Sequence, residues 1–430
     1  MVTQTIKEAA VVDLWRDIAG GGINLETVDA QSVCILYPGR TSDEPGSDIQ
    51  DAVFKINGNV TKGNIEIHVH SSDWRKHSHH QDKAYNGIVL HVVMFHDAED
   101  LTGLENGKRV PIISLACQEM LENHKKNMTA QSPCIAQVRD TGDEHIGKAL
   151  DRAGTARFIE KQSAFLDELE NTDAGQCLYR GIMGALGYSK NTVPFQTLAG
   201  LVTLHELEKT ALEMPESSAL LDIEKVLLGT AGFPFESEQP MLLPEAVGTL
   251  NTLPWRLFRV RPGNHPARRL AGMARLILRY KPRGLLNSLT TLLDDYFREN
   301  GWSEIVGGLA VAADGYWLDH YCPGKQFCLN DRFLIGQSRV KEIIINVLLP
   351  FTAAYGQYTD QREKLENSLS LYNTWPAGEE NNIERHMTSQ LGIKRSHVKT
   401  ALRQQGLLHL YKRFCTQGKC MECPVGIESS

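Results

Sequence analysis

Two hydrophobic periodicities divide the chain. Residues 6–19, IKEAAVVDLWRDIA, place apolar side chains at helical spacing, and Gly20, Gly21 and Gly22 stop that helix. Short strands follow. SVCILYPG ends at a Pro-Gly turn, DAVFKI and NIEIHVH alternate, and NGNVTKG between them reads as a hairpin connection. TSDEPGSD is loop-like, SDWRKH to KAYNG is polar with room for a short helix, and GIVLHVVMF is an apolar strand of the kind covered on both faces. VPIISL closes the series. The order over the first 117 residues is helix, three strands, short helix, two strands.

The texture then turns helical. TARFIEKQSAFLDELENT, AGQCLYRGIMGALGY, FQTLAGLVTLHELEKTALEM, ARRLAGMARLILRY, SRVKEIIINVLLPFTAAYGQ and the segment from about 383 to 413 all carry helical spacing. The expected class is α+β, with a boundary between about 120 and 155. An αβ domain covers 1–125, a mostly α-helical domain 150–380, and a helical segment with a cysteine cluster 381–430.

Composition narrows the function classes. A length of 430 residues suggests two or three domains, and 42% hydrophobic with 23% charged residues is ordinary for a globular protein. No run of about 18 apolar residues would span a membrane, and the start MVTQTIKEAAVVDLW is not built like a secretory signal. Nine cysteines, mostly scattered, fit a reducing compartment, so a cytoplasmic protein is expected. A net charge of −7 gives no overall attraction to nucleic acid; any such binding needs a local basic patch.

The densest chemistry is GNIEIHVHSSDWRKHSHHQDKAYNG, residues 63–87. On a strand, Glu66, His68 and His70 share one face and Ile65, Ile67 and Val69 the other. The polar face is either solvated or a metal site. Histidine is a poor default for a solvated strand, Asp48 and Asp51 open the hairpin partner, and His77, His79 and His80 follow at once. Carboxylates suit magnesium or manganese, and added imidazoles shift preference toward manganese or zinc. His91, inside an apolar strand, reads as a core histidine, and Trp74 as packing under the loop.

This layout resembles the PD-(D/E)xK nuclease superfamily, whose core runs helix, three strands, helix, strand, with an acid at the second strand and acid-x-lysine on the third. The resemblance covers roughly the first quarter of the chain. It implies that Asp48 or Asp51 supplies the first acid and Glu66 the second, with His68 standing where the family carries lysine. Two acids would hold a metal against a scissile phosphate. Lys55 or Lys62 could replace the lysine only if the fold brings one in. Gln81 and Tyr85 fit the Q-x-x-x-Y spacing of RecB-like exonucleases. The H-x-H of amidohydrolase barrels also matches His68 and His70, but the helical remainder lacks eight strand–helix units. Across the whole chain, YPGR, GSDIQDAV, RVRPGNHPARRLAGMARL, IGQSRVKEIIINVLLPF and RQQGLLHLYKRFCTQGKCMECP resemble, in that order, a bacterial family of unknown function.

Near the end, FCTQGKCMECP sets Cys415, Cys420 and Cys423 at x4 and x2 spacing, a sign of zinc or an iron–sulfur cluster. RecB-like nucleases that carry a cluster hold it with one distant cysteine and three near the C-terminus, which this resembles in outline. Cys322 leads as fourth ligand, with Cys328 and His409 as alternatives; Cys34, Cys117, Cys134 and Cys177 are expected in the core.

Arg259, Arg261, Arg268, Arg269 and Arg275 belong to an arginine-rich stretch without acids, suited to a phosphate backbone unless the arginines pair internally. SQLGIKRSHVKTALRQQG has the cadence of a helix–turn–helix. The expected function is a metal-dependent nuclease-like protein acting on DNA or RNA. Its cofactors would be magnesium or manganese at Asp48, Glu66 and His68, and zinc or an iron–sulfur cluster at the cysteines. A non-catalytic nucleic-acid-binding or assembly protein with a degenerate core is the alternative, and a small-molecule metallohydrolase a third.

Overall fold

The computed structural model describes residues 6–20, 24–42, 46–99, 101–117, 134, 142–234, 253–299, 302–327 and 332–427. Contacts divide the chain into two units, 1–156 with 380–430, and 157–379. The segment 381–430, which the sequence set apart, belongs with the N-terminal sheet.

The first unit is built on strands β1 (Asn24–Glu26), β2 (Ser32–Tyr37), β3 (Arg40–Thr41), β4 (Ile49–Ile56), β5 (Asn59–His70), β6 (Ile88–Phe95), β7 (Leu101–Gly103) and β8 (Arg109–Ser114). They form one eight-stranded sheet in the order β1-β2-β4-β5-β6-β8-β7, with β3 added beside β4. β2, β4 and β5 are antiparallel; β6 runs parallel to β5, and β8 parallel to β6. The hairpin turn is Asn57-Gly58, with φ of 47° and 84°. Asn-Gly tolerates two successive left-handed residues, and that twist matches the paired strands.

Helix α1 (Glu8–Gly20) lays Val11, Trp15, Ile18 and Ala19 on one sheet layer, against Val33, Phe54, Ile65, Ile67, Leu90 and Val92. A second core joins Tyr37 and Val53 to Ile146 and Leu150, and to Met387, Leu407, Leu410, Tyr411 and Cys415. A smaller one places Trp74 with Ile88, Leu104 and Val110. The C-terminal helices, Asn382–Leu391 and Ala401–Arg413, are joined by a turn with Gly392 at φ 67°. The second of them is largely buried, so it is a packed element of this unit and offers no free recognition helix.

The second unit is mostly helical. Its Pro266–Arg279 helix is buried along nearly its whole length, including Arg268 and Arg269. The single helix expected through FQTLAGLVTLHELEKTALEM is two, because Thr203 caps the second in a reciprocal box with Glu206. No described helix is long and apolar enough to cross a membrane.

Candidate metal centre

β5 lies between β4 and β6, and its residues 65–68 are buried on both faces. Glu66 is 7% exposed and His68 1%, which excludes a solvated polar face. Past the strand, the backbone N–H of Ser72 donates to Asp97 (2.8 Å) and that of His70 to Asp73 (3.0 Å), turning the chain back over the sheet. Trp74 anchors this return: its indole N–H donates to the Gly103 carbonyl at 2.9 Å, and its ring packs edge-on to His68 and His79. Ser78, at φ 62°, reverses the path between His77 and His79.

Three imidazoles converge as a result. His77 Nδ1 is 3.3 Å from His68 Nε2, and the His79 ring stacks 5.3 Å from that of His68. One ligand nitrogen each from His68, His77 and His79 lies within 4.8 Å of the other two, the one such group among the described residues. Glu66 Oε1 is 3.6 Å from His79 Nε2 and 3.9 Å from His68 Nε2. Its other oxygen, Oε2, is buried without a hydrogen-bond partner. Behind the cluster, His68 Nδ1 lies 2.9 Å from His91 Nε2, and His91 Nδ1 2.7 Å from the Thr102 hydroxyl. His91 is fully buried and satisfied, as expected of a core histidine, and it also fixes the His68 ring.

Burial holds Glu66, His68 and His79 uncharged. Burial, then the Asp48 carboxylate, pushes Glu66 up to about 9. Burial, then His79 and His77, pushes His68 down to about 3; burial and His77 take His79 to about 4. Neutral imidazoles beside a protonated acid are not ion pairs, and at 3.6 and 3.9 Å the approaches to Glu66 Oε1 are longer than hydrogen bonds. Burial also raises Asp48, whose Oδ2 accepts from the Ile67 N–H at 2.9 Å.

Asp48 therefore joins Glu66, and Asp51 does not. A register shift in β4 between Ile49 and Ala52 leaves Asp51 at φ 61°, accepting from the Tyr411 hydroxyl and 3.6 Å from Arg40. Neither lysine offered as a replacement is brought in: Lys62 donates to Gln417 and Lys55 is exposed. His70 turns to Asp97, 3.5 Å away. Gln81 is exposed on a 3-10 turn, whereas Tyr85 stacks on His79 at 3.9 Å and is pushed up to about 12 by burial and Glu66. Short turns, not one long helix, separate the two. Sequence reasoning noted His77 and His79 without giving them a role, and missed Glu8 of α1, whose charge reaches Asp48 and Glu66.

A second cluster gathers thiols. The Gln390 side-chain amide lies 3.1 Å from Cys134 Sγ and 3.9 Å from Cys415 Sγ. Burial and the neighbouring Cys420 and Cys423 push Cys134 up to about 11, and burial followed by Cys134, Cys423 and Cys420 raises Cys415 further. All four are free thiols. Cys134, expected as an ordinary core residue, is the fourth member. Cys322 is buried on a short strand of the second unit, Cys328 lies outside the described residues, and His409 packs on Phe414.

The arginine stretch is mostly internal. Arg268 donates to the carbonyls of Trp317, His320 and Phe333, and Arg269 to that of Leu334. Arg275 bridges Glu224 and Asp314. These three are not a surface for a phosphate backbone; Arg259 and Arg261 are exposed.

No curated protein and no solved structure matches the chain. The family model described as "Protein of unknown function (DUF2851)" matches residues 8–382. With that match spanning most of the sequence, through the histidine cluster and the arginine stretch alike, the chain belongs to the DUF2851 family.

Proposed function

We propose that the first unit is a metal-dependent hydrolase of nucleic-acid phosphodiesters, with Glu66, His68, His77 and His79 holding a divalent cation and Asp48 beside them. The observation that carries this reading is the convergence of three imidazole nitrogens within 4.8 Å of one another, with Glu66 Oε1 3.6 Å from His79 and 3.9 Å from His68 and Glu66 Oε2 buried without a partner. A buried polar atom without a partner is costly, and a cation would satisfy it. Three nitrogens with one carboxylate favour zinc or manganese over magnesium. Such a cation supplies charge stabilisation and water activation for phosphodiester cleavage. The His91–Thr102 pair orients His68, and Trp74 and Tyr85 pack against the His79 ring, while His77 is exposed. The phosphodiester substrate rests on the resemblance of the N-terminal sequence to the PD-(D/E)xK pattern, by analogy alone.

One observation favours the non-catalytic alternative: neither Lys55 nor Lys62 is brought to Glu66. The test separates them. With manganese or zinc, the protein should cut DNA or RNA, and Glu66→Gln should lose both cutting and metal while remaining folded. Metal binding without any cutting would leave the non-catalytic reading; undiminished cutting by Glu66→Gln would remove the site from the chemistry.

The thiols Cys134, Cys415, Cys420 and Cys423 are proposed to hold a second, structural centre, zinc or an iron–sulfur cluster. Its support is that Cys134 and Cys415 meet at the Gln390 amide and that none of the four thiols is in a disulfide; their sulfurs do not converge as closely as the three imidazoles do.

A further inference from the structure

The second unit contains a cavity of about 250 Å³ between the start of the Tyr188–Leu201 helix and the segment Arg259–Pro266. Its lining includes Tyr188, Lys190, Arg259, Arg261 and Asn264, and no Asp or Glu. Immediately behind it lie two guanidinium groups. Arg269, 3% exposed, donates to the Tyr188 hydroxyl (3.0 Å), to Asn264 Oδ1 (2.6 Å) and to the Leu334 carbonyl. Arg339 sits 3.2 Å over the Tyr188 ring and donates to the Ala185 carbonyl at 3.1 Å. The Nε of each is buried without a partner. Among the described residues neither makes an ion pair, although Glu342 offsets part of the Arg339 charge. Burying cations with only neutral acceptors is expensive, and a nearby anion relieves the cost.

The backbone is shaped around the same space. Tyr188 and Arg259 both hold left-handed φ, 53° and 54°, on opposite sides of the cavity. Asn191 leaves helical geometry (φ −119°, ψ 15°) and clamps the facing segment, accepting from the Arg256 N–H at 2.8 Å and donating to its carbonyl at 3.1 Å. Strained residues persist only where surrounding structure over-determines them, and they cluster at binding sites. Asn264 Oδ1 accepts from both Tyr188 and Arg269, which fixes its amide and leaves Nδ2 to donate.

We propose that this cavity binds a phosphate group, with Lys190, Arg259, Arg261 and Asn264 contacting it and Arg269 and Arg339 supplying charge from behind. The volume admits a phosphate with a mononucleotide-sized substituent. The carrier is either a small phosphorylated molecule or the phosphorylated end of a nucleic acid; only the second carrier rests on the nuclease reading.

Calorimetric titration of the full chain in EDTA, at fixed ionic strength, tests this independently of the metal centre. The probes are inorganic phosphate, a nucleoside 5′-monophosphate, and a short single-stranded oligonucleotide with and without a 5′-phosphate. Phosphate is expected to bind where chloride does not. The Lys190→Ala/Arg261→Ala variant, altered at the cavity mouth, should keep the parent melting temperature and bind about tenfold or more weakly. A preference for the 5′-phosphorylated oligonucleotide identifies a nucleic-acid end, and equal binding of the monophosphate identifies a small molecule. Glu66→Gln should bind phosphate as the parent does. No binding by any phosphate probe, or binding unchanged in the double variant, overturns the proposal.

Discussion

His68 Nδ1 sits 2.9 Å from His91 Nε2, deep between two parallel strands. That contact leaves His68 Nε2 facing His77 and Glu66. A ligand imidazole held through its other nitrogen keeps one ring orientation and one tautomer. Replacing His91 with Gln should therefore weaken zinc or manganese binding about 10–100-fold, although His91 touches no ligand position itself. Titration of the variant with either metal checks this. Unchanged affinity would make His91 a packing residue only.

Cys134 and Cys415 share the Gln390 amide, which makes Cys134 the proposed fourth partner of the tail cysteines in place of Cys322. On the proposed second centre, anaerobically purified parent protein should contain zinc, or iron and sulfide, and Cys134→Ser should lose it. Cys322→Ser should keep it in full. The reverse pattern would restore the expectation drawn from the sequence.

Much of the first unit was legible. The helix, the alternating strands and the polar positions 66 and 68 all follow from period-2 and period-3.6 patterns. Cys134 was not, because a ligand arriving from far along the chain leaves no local spacing. Asp48 and Asp51 could not be separated either: the sequence shows neither which of them lies on the Glu66 side nor the register shift between Ile49 and Ala52 beside which Asp51 meets Tyr411 and Arg40. The arginines misled for a related reason. A run of cations shows its charge in sequence but not the carbonyls and acids that meet it. The split of the 195–214 helix was readable, since Thr203-Leu-His-Glu206 is a capping box.

Arg275 links Glu224 and Asp314, and Glu224 also accepts from the Trp317 indole at 3.0 Å. Burial raises Glu224 from its ordinary value while Arg275 opposes that rise. Arg275→Met would leave this carboxylate buried without its cation, costing about 3–5 kcal/mol. Adding Glu224→Gln should recover part of the loss, as thermal melting of the single and double variants would reveal. A stable Arg275→Met protein with weakened nucleic-acid binding would instead return Arg275 to the surface.

Gly154 and Gly406 mark where the Gly142–Leu169 and Ala401–Arg413 helices nearly touch. A Cβ on Gly406 would stand 2.2 Å from the Leu150 carbonyl oxygen, and one on Gly154 2.1 Å from that of Leu402. Backbone cannot yield as a side-chain tip can, so Gly406→Ala should cost at least the ~1–3 kcal/mol of ordinary overpacking. Melting should fall by several degrees, roughly 2–4 °C per kcal/mol in a unit of this size. A neutral alanine would mean that the helices separate freely.

His265 gives the second unit an acid-sensitive cap. It opens the Pro266–Arg279 helix, where its Nδ1 accepts from the Ala267 N–H at 3.2 Å, and it is packed by Phe233 and Tyr321. Burial, then Lys325, depresses it from 6.5 to about 4. A depressed base is neutral when folded, so its contribution is complete above pH 6.5. As pH falls from 6.5 to 4 the unfolded chain takes up the proton first, and stability drops by up to about 3 kcal/mol. His265→Asn keeps a cap acceptor without the titration. Its stability should change less than the parent's between pH 7 and pH 4.5, measured by denaturant unfolding at both. Parallel losses in the two proteins would show that His265 is already charged in the folded state, and that the cap is made by something other than a neutral imidazole.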